Sequence, residues 1–157
     1  MERFILFSCN TQSFAMDISK VERIIEYKEP NPIPESSDYL LGVIQYNDRI
    51  LPIINLSKRL YNVDRSYDDD DKVIVVMWKN NLLGLVVDEI FGIQGFDDNK
   101  IEDTSTDVNI SMKYVKGFIK TEKEIIIVLD TDKMFNQEQE DELITSTEIQ
   151  SEVSTID

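Results

Sequence analysis

The chain has 157 residues, enough for one compact domain with a sizeable core, and carries 31 acidic against 16 basic side chains, a formal charge of −15. That balance argues against wrapping a nucleic-acid backbone, where Lys and Arg must neutralise phosphates, and against docking on an anionic membrane surface; a basic partner patch or plain solubility fits better. The sequence has no histidine and a single cysteine, Cys9, so the commonest metal ligand, the side chain best suited to proton transfer near neutral pH, and any intrachain disulfide are all missing.

In chain order, Arg3–Cys9 and Gln12–Asp17 are apolar-rich runs separated by Asn10-Thr11 and read as a hairpin, with Cys9 a small buried residue. Val21–Tyr27 continues as strand, or as a helical turn followed by strand. From Glu29 to Ser37 three prolines forbid a helix interior and favour an extended surface path. Tyr39–Leu56 then reads as two apolar strands around the turn Asn47-Asp48, with Gly42 in the first arm and Pro52 in the second. Lacking an N–H, Pro52 belongs at a strand edge or a bulge. Ser57 stands where an N-cap would, ahead of a short helix to Tyr61.

A polar connection containing Asp68-Asp-Asp-Asp71 leads to the strongly β run Val73–Trp78 and the turn Lys79-Asn80-Asn81. Leu82–Ile93 reads as one long return strand bent at Gly84 and Gly92, a pattern suited to a curled, closed sheet. The stretch Lys100–Met112 is polar and weakly patterned. Tyr114–Lys120 and Glu124–Leu129 form a further strand pair, and Asp130 is placed to cap a short helix over Thr131–Phe135. Beyond Asn136 the scattered aliphatics bury too little surface to offset ordering entropy, so 136–157 is expected to be a disordered acidic tail, with an amphipathic helix over Gln137–Ile144 as the alternative. No apolar run approaches the ~20 residues that span a bilayer, and no signal-peptide pattern opens the chain; the expectation is a cytoplasmic protein without direct membrane insertion.

Candidate chemistry is thin. Asp68–Asp71 with Asp64 lacks the alternating ligands and glycine of a calcium loop, and Asp97-Asp98 with Glu102-Asp103 fares no better, so both are read as solvated acidic loops. Asp88 and Glu89 are adjacent in a strand and point to opposite faces, which prevents them from acting together as general acid and base. Glycine-rich phosphate loops and a nucleophile elbow are absent from the sequence, and no cofactor or metal is expected. Trp78, beside Met77, suits core or rim packing better than a role as surface anchor.

One set of segments carries more. Phe14–Val21, Tyr39–Ile44, Ile50–Leu56, Val73–Val76, Gly84–Asp88, Gly117 and Ile127–Asp130, in this order, resemble the family of chemotaxis coupling proteins and CheW-like domains, over residues 1–135. The resemblance implies an all-β fold of two interlocked, SH3-like five-stranded barrels around a shared apolar core. It also implies a non-enzymatic adaptor linking the cytoplasmic tips of chemoreceptors to the regulatory domain of a CheA-type histidine kinase. Partner contacts would lie near Val21, Arg23, Gly42 and Asn47, although core packing serves equally well for Val21 and a required backbone bend for Gly42. Two of these positions depart from the family pattern: Arg23 stands where a glutamate is usual, and Asn47-Asp48 where an Arg-Gly pair is usual. Such charge changes bear on partner choice, so a divergent module that scaffolds another regulatory complex, or competes for the kinase, is the alternative.

Overall fold

The computed structural model describes residues 1–103 and 113–154; part of the weakly patterned 100–112 stretch and the last three residues of the acidic tail lie outside the described residues. Among the described residues, eleven strands, two α-helices and three single-turn 3-10 helices make a mainly β protein of two sheets. Two strands open the chain, β1 (Glu2–Cys9) and β2 (Gln12–Asp17), and the turn Ile18–Lys20 leads into β3 (Val21–Glu26). The hairpin β4 (Leu40–Tyr46) and β5 (Arg49–Asn55) precedes α1 (Leu56–Tyr61), and then come β6 (Lys72–Trp78) and β7 (Asn81–Val87). The remainder comprises β8 (Glu89–Phe96), β9 (Ile101–Asp103), β10 (Val115–Lys120), β11 (Ile125–Leu129) and α2 (Gln137–Ser154). Among the described residues no helix is long and apolar enough to cross a membrane.

The sheets are interlocked by chain order. One is five-stranded, β3-β6-β7-β5-β4, and uses only the middle of the chain; the other runs β8-β1-β2-β11-β10-β9 and draws on both ends, its short β9 adding a sixth strand to the five expected. Strand alternation explains the cores. In β6, Val73 and Val75 turn into a cluster with Tyr27, Tyr46, Leu51 and Ile53 inside the five-stranded sheet. Ile74, Val76 and Trp78, one residue out of step, turn the other way into the largest cluster. There they meet Ile5, Phe7, Phe14 and Met16 of the six-stranded sheet, so one apolar core is shared by both units. A third cluster, around Phe4, Ile119 and Val128, fills the six-stranded sheet.

Several sequence expectations need correction. Leu82–Ile93 is not one strand: the chain changes sheets at Asp88, leaving β7 in one and β8 in the other. Gly92, at φ +127, sits in β8 opposite the register shift between Leu6 and Phe7. Pro52 lies in an interior strand, yet the parallel pairing of β5 with β7 covers only Ile53–Asn55, so no ladder bond is asked of its missing N–H. The cap of α1 is Asn55, whose Oδ1 accepts from the Lys58 N–H at 3.2 Å, while Ser57 is buried with its hydroxyl 3.3 Å from the Cys9 sulfur. Asp130 does cap its turn, accepting from the Asp132 N–H at 3.1 Å, although that helix spans only Thr131–Lys133.

The expected disordered tail is instead α2, whose helix extends beyond the Gln137–Ile144 alternative to Ser154. Its stability comes from docking, with Leu143 buried in the shared core at 1% exposure. The Glu142 carboxylate accepts from the Ser37 N–H and hydroxyl at 2.5 and 2.6 Å, and Glu140 pairs with Lys79. Asn136 and Gln139 cap the helix reciprocally, each side chain accepting from the other's N–H.

Candidate functional site

Two edge features stand out as surfaces for a partner. The first is β3, which among the described residues pairs only with β6 and is interrupted by a register shift between Val21 and Arg23. This bulge turns Glu22, Arg23 and Ile24 outward as three consecutive exposed residues, Ile24 at 42% exposure. Val21 itself is half-buried, pairs with Val76 and packs against the shared core.

The end of the β4–β5 hairpin lies against this strand. Asn47 adopts φ +52, as a two-residue turn requires, between the paired Tyr46 and Arg49. The Tyr46 phenol is close enough to Glu22 and Arg23 for both to act on it. Burial first, and then the Glu22 carboxylate, raise its pKa, and Arg23 offsets part of that. Glu22 and Arg49 also line a groove of about 580 Å³ with Lys20, Lys79, Asp132 and the exposed Met77. Arg23 and the Asn47 turn are therefore brought to one end of the five-stranded sheet, with Val21 half-buried beside them.

Gly42 is not brought there. Its φ is +143, and a Cβ would stand 2.2 Å from the Asn31 carbonyl oxygen and 2.6 Å from its carbon. Asn31 and Val43 exchange both backbone hydrogen bonds at 2.9 Å, so the glycine lets the proline-rich connection lie directly on β4.

The second surface was missed in the sequence. Strand β8 is an edge strand, and it exposes Phe91 at 56% and Ile93 at 53%, on either side of the irregularity at Gly92. Their apolar character is plain in the sequence; the strand break at Asp88 that makes this an edge is not.

The remaining candidates have structural roles. Asp88 accepts from the Asn10 N–H at 2.8 Å and pairs with Arg65 at 3.0 Å, and Arg65 also pairs with Asp71 at 3.1 Å. The acidic loop is thereby tied to the point where the chain changes sheets. Asp68 likewise spends its side chain on the Asp70 N–H. Trp78 is buried at 1% exposure, edge-on to Phe135, whereas its neighbour Met77 faces out. Cys9 is buried and its thiol pKa is raised to about 11, chiefly by that burial, which keeps it a thiol at physiological pH.

The two-sheet fold has known counterparts. The family model described as "CheW-like domain" matches residues 3–139. The chain belongs to the CheW-like domain family. A chemotaxis protein CheW of Thermotoga maritima is 32% identical over 133 residues, 83% of this chain and 85% of that protein. Chemotaxis protein CheW of Klebsiella aerogenes is 25% identical over 139 residues, 88% of this chain and 84% of its own length. A solved structure described as scaffolding protein TtCheW from Thermoanaerobacter tengcongensis superposes with a TM-score of 0.79 at 26% identity, covering 88% of this chain and 94% of that one. As a CheW-like domain, the chain has a fold whose relatives are named for chemotaxis and scaffolding, which fits surfaces made of edges and grooves.

Proposed function

We propose that this CheW-like protein is a cytoplasmic, non-enzymatic chemotaxis adaptor that couples the cytoplasmic tip of a chemoreceptor to the regulatory domain of a CheA-type histidine kinase and is recruited to receptor arrays. The observation that carries the reading is the family match across residues 3–139. The open edges supply two docking surfaces. The β3 edge, with Val21, Arg23 and the Asn47 turn, offers an exposed apolar residue ringed by charge, suited to another β module such as the kinase domain. The β8 edge, with Phe91 and Ile93, offers the apolar footing that a helical hairpin tip requires. Gly42 acts on the first surface only through the backbone it shapes.

A second reading is favoured by the β3 edge itself. Arg23 places a cation beside Tyr46 where the family pattern has an acid, and Asn47 is neutral where that pattern has a base. Charges at such rims set partner choice and encounter rate more than fold stability, so the partner would be one whose own charges are exchanged, or a different regulatory complex. Titration calorimetry with a kinase regulatory domain and with a receptor-tip fragment tests both readings. Binding of either supports the coupling role, and binding of neither refutes it. If only Arg23→Glu with Asn47→Arg gains kinase binding, the divergent reading holds; unchanged binding in native and doubly substituted protein refutes that reading.

A further inference from the structure

A cavity of about 250 Å³ lies between Arg59 of α1 and the start of α2, sharing no residue with either docking surface. Its charged lining among the described residues is wholly basic: Arg59, Lys113 and Lys133. The same chain carries 31 acidic side chains against 16 basic ones, so a lining with three cations and no carboxylate runs against its composition. Among the described residues none of the three forms an ion pair, whereas six other basic side chains do.

The neutral lining residues point the same way. Asn136 and Gln139 border the cavity, and their reciprocal cap commits the oxygen of each side chain to a backbone N–H, at 2.8 and 2.9 Å. Each amide is left with its NH₂ donors. Apart from the Tyr114 hydroxyl, which can donate or accept, the uncommitted polar side-chain groups of the lining are therefore all donors. Lys113, Lys133 and Asn136 are exposed, and Arg59 and Gln139 half-buried, so these groups can be reached from solvent. Arg59 is also held in place. Its guanidinium carbon stands 5.4 Å from the ring centre of Phe135, 5.6 Å from that of Tyr114 and 5.9 Å from that of Tyr39, and one of its nitrogens donates to the Met134 carbonyl. A planar fork fixed in this way loses little freedom on meeting an oxyanion.

Size and charge narrow the ligand. The cavity is smaller than the roughly 300–1,000 Å³ that drug-sized molecules occupy. A net charge of −15 repels polyanions from a distance, which disfavours a nucleic acid or a strongly acidic protein face and leaves a compact anion held by short-range contacts. Three cations balance a dianion better than a single carboxylate. We infer that this cavity is a seat for a phosphate dianion, free or as the monoester of a small molecule. Arg59, Lys113 and Lys133 pair with its oxygens, and the amides of Asn136 and Gln139 donate to them.

The test is a titration of the ¹⁵N-labelled full chain with inorganic phosphate and with phenyl phosphate, at about pH 8 where both are dianions, against sodium acetate at equal ionic strength. The expected result is a saturable shift of the Arg59, Tyr114, Asn136 and Gln139 amide signals with phosphate and none with acetate. Tighter binding of phenyl phosphate identifies a monoester as the occupant, and equal or weaker binding identifies free phosphate; both support the seat. Lys113→Gln with Lys133→Gln, at two exposed positions where the fold is kept, should weaken the binding about tenfold, equal to about 1.4 kcal/mol. Lys28→Gln with Lys123→Gln removes as much charge from exposed positions outside the cavity and should leave the binding unchanged. Shifts that never saturate, shifts of equal size with acetate, or an equal loss in the second pair would each reduce the effect to general charge and overturn the inference. Neither kinase nor receptor takes part, so this result and that of the coupling titration stand or fall separately.

Discussion

Replacing Gly42 by alanine separates a backbone role from a contact role at that position. Two costs add. Holding a non-glycine residue at φ +143 strains the backbone by about 1–3 kcal/mol. The new Cβ, 2.2 Å from the Asn31 oxygen and 3.0 Å from the Pro32 Cα, meets backbone that cannot rotate away. It must push the connection off β4 and stretch the two Asn31–Val43 hydrogen bonds, an overpacking cost of about 1–3 kcal/mol. A total near 4 kcal/mol corresponds to a fall in melting temperature of roughly 8–16 °C for a domain of this size. Thermal and urea unfolding of Gly42→Ala, followed by circular dichroism with no partner present, would show the loss directly. A melting temperature within about 2 °C of native would mean that the glycine is not demanded by the backbone, and the packing argument would fail.

Other outcomes follow from the same geometry. Leu143→Ala should cost about 2–5 kcal/mol in urea unfolding, because it empties a core site, whereas Ile144→Ala, at 39% exposure, should stay within about 0.5 kcal/mol; equal effects would mean that α2 is not docked. Phe91→Asp with Ile93→Asp should leave stability within about 1 kcal/mol while weakening receptor-tip binding at least about tenfold, and intact binding would remove β8 from the docking surface. Stability should decline as pH rises from 9. The Cys9 thiol ionises near 9.0 when unfolded but only at about 11 when folded, so its contribution is complete below pH 9 and lost across that window, on the order of 2–3 kcal/mol. Tyr27, Tyr39 and Tyr67, raised by burial, act in the same direction at higher pH. Urea midpoints measured between pH 8 and 11 should therefore fall less steeply in Cys9→Val than in the native chain, and parallel curves would contradict the assignment.

Much of the fold was legible because both signals of β structure are strong here. The β-branched apolar run in Val73–Trp78 and the turn residues at Asn10-Thr11 and Asn47-Asp48 each depend on nearest neighbours along the chain. What stayed hidden depends on partners distant in sequence. Asp88 and Glu89 interrupt an apolar run by two charges, and only the bonds of Asp88 to Asn10 and Arg65 reveal that the chain changes sheets there. With that crossing unseen, Phe91 and Ile93 fall at the end of one long strand, whereas they belong to an exposed edge. Ser57 is the cap that the sequence suggests, but burial takes it into contact with Cys9 and Asn55 caps the helix instead. The tail was misjudged because average composition cannot register one anchor, Leu143, or the docking of Glu142 on Ser37. Of the candidate site, Arg23 and Asn47 came together at one surface, while Gly42 proved to be a matter of backbone clearance.

The order in which the strands pair has a consequence for how the chain is made. Every ladder of the five-stranded sheet closes within residues 21–87, but Phe7 waits for Ile90 and Ala15 for Val128. On a ribosome the first hairpin emerges early and stays without its outer neighbours until the last strands appear, whereas the middle sheet can be finished long before. The protein is thus a completed insert around which its own ends later close. The β3 edge is ready before the β8 edge has a sheet to belong to, so an unfinished or truncated chain would offer one docking surface without the other and bind a partner without bridging two.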